Sequence, residues 1–315
     1  MVHRFETRVG GDVVLVSVLM SLYKPDESYL REQLCSIDAQ DVYDMEIVIY
    51  NDCPQDVDRA EQCAALCPCH EVRYVHGEEN LGYVRAFEKL VGLARGTYLV
   101  FADQDDAWEP GRVSKCLEQM RQGHVLCSCD RSVIDAEGKV LVPSWRAAHA
   151  KDVENTWHTG DYYVPKAAFT CFSIGMATMV RADVARDLRP YPLCTGHDKW
   201  IALCANEVGT CAFVDEPLVR YRRHASNVSG TFSSMTCKQD WYDNRTKQAY
   251  RLVQEFCTRF PESRGCDEMR AFATARINRS VVGMWRYRRL APIVADFEIA
   301  LKFMPEFVFR RLVGA

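Results

Sequence analysis

The feature that most constrains this chain is an alternation running from Val13 to about Pro110. Short β-branched, apolar runs give way to stretches of helical spacing and then return. Such alternation builds βαβ units and a mostly parallel sheet. Val13–Ser21 reads as a central strand covered on both faces. Pro25-Asp26 breaks it, and Tyr29, Leu30, Leu34 and Ile37 then follow helical spacing. Glu46–Tyr50 predicts a second strand ending at Asn51-Asp52, then a helix over roughly 56–66 stopped before Pro68, and a strand at Val72–Val75. Asn80-Leu81-Gly82 opens a helix with Phe87, Leu90, Val91 and Ala94 on its apolar face and Gly96 as its cap. Tyr98–Ala102 runs straight into Asp103-Gln104-Asp105-Asp106, and Pro110 suits the first turn of the next helix. Val125–Cys129 and a hairpin around Asp135–Gly138 extend the sheet. Residues 143–169 lack a period and read as a functional loop. A short strand is expected near Cys211–Val214, and after Thr231 only helices.

Composition removes several function classes. With 48% hydrophobic residues and a net charge of −4 over 315 residues, disorder is excluded. With 39 basic residues against 43 acidic ones, a strongly basic nucleic-acid binder is excluded too. No run approaches the roughly 18 apolar residues of a spanning helix. The N-terminus lacks a cationic start leading into an apolar core, so a cytoplasmic location with reduced thiols is expected. The fifteen cysteines then act mainly as small hydrophobes, as at Cys116, Cys171, Cys204 and Cys211. Cys63, Cys67, Cys69 and His70 lack the paired spacing of a zinc site and read as a helix end entering a turn.

Three acidic groups fall where open α/β sheets bind ligands, beyond the carboxyl ends of strands or at a helix start: Asp52, the Asp103–Asp106 cluster and Asp198. Crowded carboxylates repel one another and resist desolvation. A hard divalent cation, Mn²⁺ or Mg²⁺, offsets both costs when it is shared with a substrate phosphate. The plain alternative is a solvated loop capping the next helix. Gly196-His197-Asp198-Lys199-Trp200 sets a carboxylate at the start of an apolar helix. Tyr221-Arg222-Arg223-His224-Ala225-Ser226-Asn227-Val228-Ser229-Gly230 gathers groups suited to a diphosphate. No G-x-G-x-x-G follows the first strand, which excludes a dehydrogenase. Ser21–Lys24 is not the Gly-rich loop of a nucleotidyltransferase.

These motifs, in this order, resemble the family-2 glycosyltransferases over roughly residues 13–230, and look most like bacterial polysaccharide rhamnosyltransferases. The resemblance implies an α/β fold of the GT-A type, a Rossmann-like mixed sheet with helices on both faces. A catalytic domain over 1–231 and a C-terminal helical region over 232–315 would follow. It also implies an inverting, metal-dependent transferase using a nucleotide-diphosphate sugar, dTDP-rhamnose or a UDP-sugar, on a lipid-linked saccharide. A family member that binds nucleotide or glycan without turnover is the alternative. By motif, Asp198 would be the base. Tyr23, Asp52, Arg85, Asp103, Arg222, Arg223 and His224 would bind donor, and Asp105, Asp103 and His224 the metal. Trp108, His197, Lys199 and Trp200 would lie on the acceptor side. Two departures stand out: Asn51-Asp52-Cys53-Pro54 lacks the usual first acid, and Lys199 replaces an aromatic residue. The segment 270–315 carries nine Lys/Arg against three acids together with large apolar residues. It suits either packing on the core or peripheral contact with the inner face of the membrane.

Overall fold

The computed structural model describes residues 16–224 and 235–314, together with the backbone of a small antiparallel pair at 8–9 and 12–13. Four parallel strands form the first half of the sheet: β1 (Val16–Leu22), β2 (Met45–Asn51), β3 (Glu71–His76) and β4 (Tyr98–Ala102), in the order β3-β2-β1-β4. Between them run α1 (Glu27–Asp38), α2 (Ala60–Leu66) and α3 (Tyr83–Leu93). Asp26 caps α1 by accepting from the amides of Ser28 and Tyr29. The second half is mixed. β5 (Ala107–Trp108) precedes α4 (Arg112–Arg121), followed by β6 (Leu126–Ile134), β7 (Val140–Val142), β8 (Thr178–Arg181) and β9 (Cys211–Arg222). β8 lies antiparallel between β4 and β6, β9 runs parallel to β6, and β5 closes the edge beside β9. The expected mixed sheet with helices on both faces is present.

Two large apolar clusters sandwich the sheet. One gathers α1, α4 and the faces of β1, β2 and β4 around Leu30, Leu34, Ile47 and Val100. The other joins α3, α5 (Ala182–Asp187) and α6 (His197–Val208) to helices beyond residue 231. α7 (Lys247–Arg259) and α8 (Cys266–Ile277) deliver Phe256, Met269 and Phe272 to that same core. The change in composition near residue 231 therefore does not coincide with a break in the core. α9 (Val281–Arg286), α10 (Pro292–Phe303) and α11 (Glu306–Val313) finish the chain.

Several local expectations are corrected. α3 ends at Ala94 in an extended conformation, and Gly96 instead donates its amide to Ser17 Oγ. α4 starts at Arg112 because Gly111 takes a left-handed conformation (φ 79°), which leaves Pro110 in the preceding turn. The 143–169 stretch contains short helical turns, and its Trp157 is wholly buried. Cys171 is exposed, whereas Cys116, Cys204 and Cys211 are buried. Cys63 and Cys67 pack into the core beneath α2, so the Cys63–His70 group is a helix end. Among the described residues no helix is long and apolar enough to cross a membrane.

Candidate functional site

The carboxyl ends of β1, β2 and β4 present Tyr23, Asp52 and Asp103 on one rim of the sheet. Gln104, passed over in the sequence, ties this rim together. Its Oε1 accepts from the Tyr23 amide at 2.8 Å and its Nε2 donates to the Tyr23 carbonyl at 3.1 Å. The buried Gln33 of α1 donates to the Asp103 carbonyl. The Tyr23 ring remains about half exposed, as a stacking surface would be. Asp52 is buried, its proton affinity raised by desolvation, and one carboxylate oxygen accepts from the Leu81 amide at 2.6 Å. That contact couples the second strand to the Asn80–Gly82 turn. Arg85, one turn into α3, is half-buried and paired with Glu88.

The acidic cluster is not a solvated loop. Asp106 has no exposed surface, and burial together with the charges of Asp103 and Asp105 pushes its carboxyl well above the usual range. Asp103 is pushed up to about 7 by burial and by the charges of Asp105 and Asp198. β9, longer than expected, brings its end to this cluster. The Arg222 amide donates to Asp106 Oδ1 at 2.9 Å, and His224 Nε2 lies 2.8 Å from Asp105 Oδ2. The Tyr29 ring sits beside both, with the Arg222 guanidinium 4.5 Å above it and the His224 ring 5.4 Å away.

Arg222 differs from expectation. Its side chain is buried, Nε donates to the Asp105 carbonyl at 2.9 Å, Nη1 to the Ala136 carbonyl at 3.1 Å, and Nη2 pairs with Glu32. It braces the acidic loop from behind rather than facing a ligand. Arg223, fixed through its amide to the Ile134 carbonyl, is the exposed cation of the pair. The remainder of this motif, residues 225–230, lies outside the described residues.

Asp198 sits in the first turn of α6. Its two carboxylate oxygens accept from the Lys199 amide at 2.8 Å and the Gly175 amide at 3.0 Å. A side chain at Gly196 would collide with Asp198 Oδ1, so glycine is required for this approach. Three acceptor-side expectations do not hold. Trp108 is buried with the Arg112 guanidinium 3.7 Å from its ring centre, and Trp200 is buried with its indole N–H donating to the Leu188 carbonyl. His197 is buried and stacked on Phe87 at 4.0 Å, and desolvation pulls its imidazole down to about 4. Lys199 is half-buried, with its proton affinity lowered by desolvation.

Among the described residues no group of three or more His, Cys, Asp or Glu side chains is arranged to hold a metal by itself. Asp103, Asp105 and His224 therefore do not make a protein-only shell. The Asp105–His224 pair, bordered by under-neutralised carboxyls, fits a cation that shares its remaining positions with a phosphate-bearing ligand.

A family model described as glycosyl transferase family 2 matches residues 17–188. A glycosyltransferase of uncharacterized function from Methanocaldococcus jannaschii, MJ1057, is 34% identical over 111 residues, 35% of this chain and 38% of its own. WcaA of Escherichia coli, named for colanic acid biosynthesis, is 29% identical over 109 residues, 33% of this chain and 38% of its own. The match to this chain thus spans under two fifths of those relatives' length. Among solved structures, S. aureus TarS 1–349 with UDP-GlcNAc aligns with a TM-score of 0.61 at 16% identity, covering 90% of this chain and 84% of its own. The mannosyltransferase PcManGT of Pyrobaculum calidifontis, solved with GDP-Man and Mn²⁺, aligns with a TM-score of 0.56 at 17% identity, covering 95% and 78%. At these identities the likeness is one of fold, the GT-A arrangement of sheet and helices.

Proposed function

Since the chain belongs to glycosyl transferase family 2, we propose that it transfers a sugar, with inversion, from a nucleotide-diphosphate donor to a saccharide acceptor. The observation that carries this reading is the meeting of Asp105 and His224 beside Asp103, a carboxyl that feels the charge of Asp198. One rim would thus offer an anion-and-metal side and a base side. Tyr23 and Asp52 would hold the nucleoside, with Arg85 near it. Asp103 would bind the donor, and Arg223 and His224 would reach the diphosphate. Bound there, a divalent cation stabilises the negative charge that grows on the leaving diphosphate. Asp198 takes the proton of the attacking hydroxyl. No second carboxylate has to protonate the leaving group, unlike glycoside hydrolysis. Arg222, buried and bonded to the acidic loop, would keep Asp105 and Asp106 in register.

The finer proposals are a donor carrying rhamnose or a UDP-linked sugar, and a growing, lipid-linked surface polysaccharide as acceptor. The biosynthetic names of WcaA and of the Bacillus subtilis relative TuaG, named for teichuronic acid, support a polysaccharide product. One further observation favours peripheral membrane contact. Part of the 270–315 segment is buried, Leu290 in the sheet's core and Leu301 and Phe309 in a separate small cluster with Met235, Trp241 and Tyr242. Trp285, Ile293, Phe303 and Phe307 instead stay exposed, beside the exposed cations Arg286, Arg310 and Arg311. α9 and α10 enclose an apolar groove of about 390 Å³ lined by Val282, Trp285, Ile299 and Phe303.

The testing experiment is a thermal-shift screen of nucleotide sugars with and without Mn²⁺, since a ligand of the native state raises stability. A cognate donor with Mn²⁺ is expected to raise Tm, and Asp105→Ala to abolish that shift while keeping the unliganded Tm. No shift with any donor, or an unchanged shift in Asp105→Ala, would overturn the reading.

A further inference from the structure

A small cavity lies against the base side of the rim, and its wall contains an arginine without a hydrogen-bond or ion-pair partner among the described residues. The cavity, about 90 Å³, is lined by Asp130 and Arg131 of β6 and by Trp145, Glu154, Trp157, Cys171 and Ile174 among others. A space of this size holds several water molecules and has room for a carboxylate or a phosphate group. It abuts Asp198 through one segment. Cys171 and Ile174 line the cavity, and the next residue, Gly175, donates its amide to Asp198 Oδ2 at 3.0 Å. Cys171 also feels the charges of Asp198, Lys199, Arg131 and Glu154 together. Because β6 runs parallel to β9, Asp130 and Arg131 pair with Pro217 and Val219 in mid-strand, and Ile134, three residues after Arg131, pairs with Arg222.

Several polar groups of this wall are satisfied, while Arg131 Nε and Arg146 Nη1 are buried without a partner among the described residues. Asp130 accepts from Ser144 Oγ at 2.6 Å and from the Arg146 amide at 3.0 Å. Arg146 donates to the Trp157 carbonyl at 2.8 Å, and Asn155 to the His149 carbonyl at 3.0 Å. Glu154 is pushed toward its neutral form by burial and by the charge of Asp152. Arg131 makes no hydrogen bond or ion pair within the described residues, and its Nε is buried without a partner. Its guanidinium rests 4.6 Å from the Trp145 ring centre, and burial lowers its proton affinity. An unpaired, largely buried guanidinium is expensive to keep. Its planar fork matches carboxylate and phosphate geometry. The indole that carries it is itself stacked with His149, ring centres 3.8 Å apart.

We propose that this cavity receives an anionic substituent of the acceptor, a carboxylate or a phosphate on the sugar next to the attacking hydroxyl, and that Arg131 binds it. The inference rests on the transferase reading above, and it makes the acceptor an acidic glycan. Bound in this way, the acid anchors the acceptor beside Asp198.

The test titrates the full chain, in metal-free buffer without any nucleotide sugar, with glucuronic acid, glucose 1-phosphate, glucose and inorganic phosphate. At least one charged sugar is expected to bind about tenfold or more tighter than glucose, the worth of a charge-assisted hydrogen bond. Glucuronic acid ahead identifies the carboxylate as the group recognised, and glucose 1-phosphate ahead the phosphate. Arg131→Met is expected to lose that preference while its unliganded Tm stays level or rises, because the orphaned charge is gone. Arg131→Lys keeps part of the preference. Glucose binding as tightly as both charged sugars, retention of the preference in Arg131→Met, or inorganic phosphate binding as tightly as the charged sugars would each overturn the proposal. Failure of the transferase reading shows separately, as the absence of any donor-induced shift in the unsubstituted chain.

Discussion

Asp198 holds two backbone amides with its two oxygens, so its carboxylate is aimed before any substrate arrives. Asp198→Asn removes the proton acceptor and turns an N–H₂ toward one of those amides. Transfer should fall by about 10²-fold or more, and stability by about 1 kcal/mol for the lost hydrogen bond. Donor and Mn²⁺ binding should persist by calorimetry. Near-normal turnover would leave Asp198 as a helix-start residue only. Its neighbour His197 sets an acid limit. The folded imidazole titrates near 4 against 6.5 when free, so the unfolded chain takes up the proton first as pH falls. Stability is therefore lost between pH 6.5 and 4, by about 3 kcal/mol at the lower end. Because the ring is stacked on Phe87 and neither nitrogen has a partner among the described residues, phenylalanine fits the site. His197→Phe should match the parent in urea unfolding at pH 7 and exceed it at pH 4.5. Equal losses in both chains would place the acid sensitivity elsewhere.

Among the elements, β9 does most to assemble the site, and it was also the hardest to read. Its continuation past Val214 is hidden by Asp215-Glu216-Pro217, a polar, proline-bearing stretch that ordinarily ends a strand. Here it forms an irregularity, after which pairing with β6 resumes at Val219. Arg222 at its end touches Glu32 of α1, the Asp105 carbonyl and the Ala136 carbonyl of the β6–β7 turn. Arg222→Met should lower unfolding free energy by about 3 kcal/mol and weaken Mn²⁺-dependent donor binding, both measurable on one purified sample. Full stability with full donor affinity would remove the bracing role. The strand ends carrying Asp52 and Asp103 were legible because β-branched runs stop abruptly at polar residues, and Asp198 because glycine and an apolar period mark its helix. Trp108 and Trp200 were misread because an aromatic residue beside an acidic motif looks the same whether it faces sugar or core. Gln104, Gly175 and Arg131 carried no signal, since their roles depend on contacts distant in sequence.

At the scale of the whole molecule, the tail past residue 231 both completes the core and presents an apolar face. Each Lys or Arg near an anionic surface contributes roughly 1 kcal/mol, so several suffice for reversible docking. The full chain should co-sediment with phosphatidylglycerol-containing vesicles at low salt and release at high salt. Trp285→Ser combined with Phe303→Ser should abolish sedimentation without lowering donor affinity, as neither residue is buried. Vesicle binding unchanged by both substitutions would locate any contact elsewhere.

The tail is also tied down internally. Glu298 of α10, almost fully buried, pairs with Arg276 of α8 at 2.7 Å and accepts from the Trp241 indole at 3.0 Å and the Thr246 hydroxyl at 2.8 Å. With Phe256, Met269 and Phe272 in the sheet's own core, this knot bears on how such a chain can diverge. A recombination event joining its first 231 residues to another helical tail would leave a hole beside α3 and α6, and the incoming segment would have to match it in shape from the outset. Shared burial of this kind disfavours shuffling of the two parts. New acceptors or new surfaces have to be reached by single substitutions, on exposed positions that the knot leaves free.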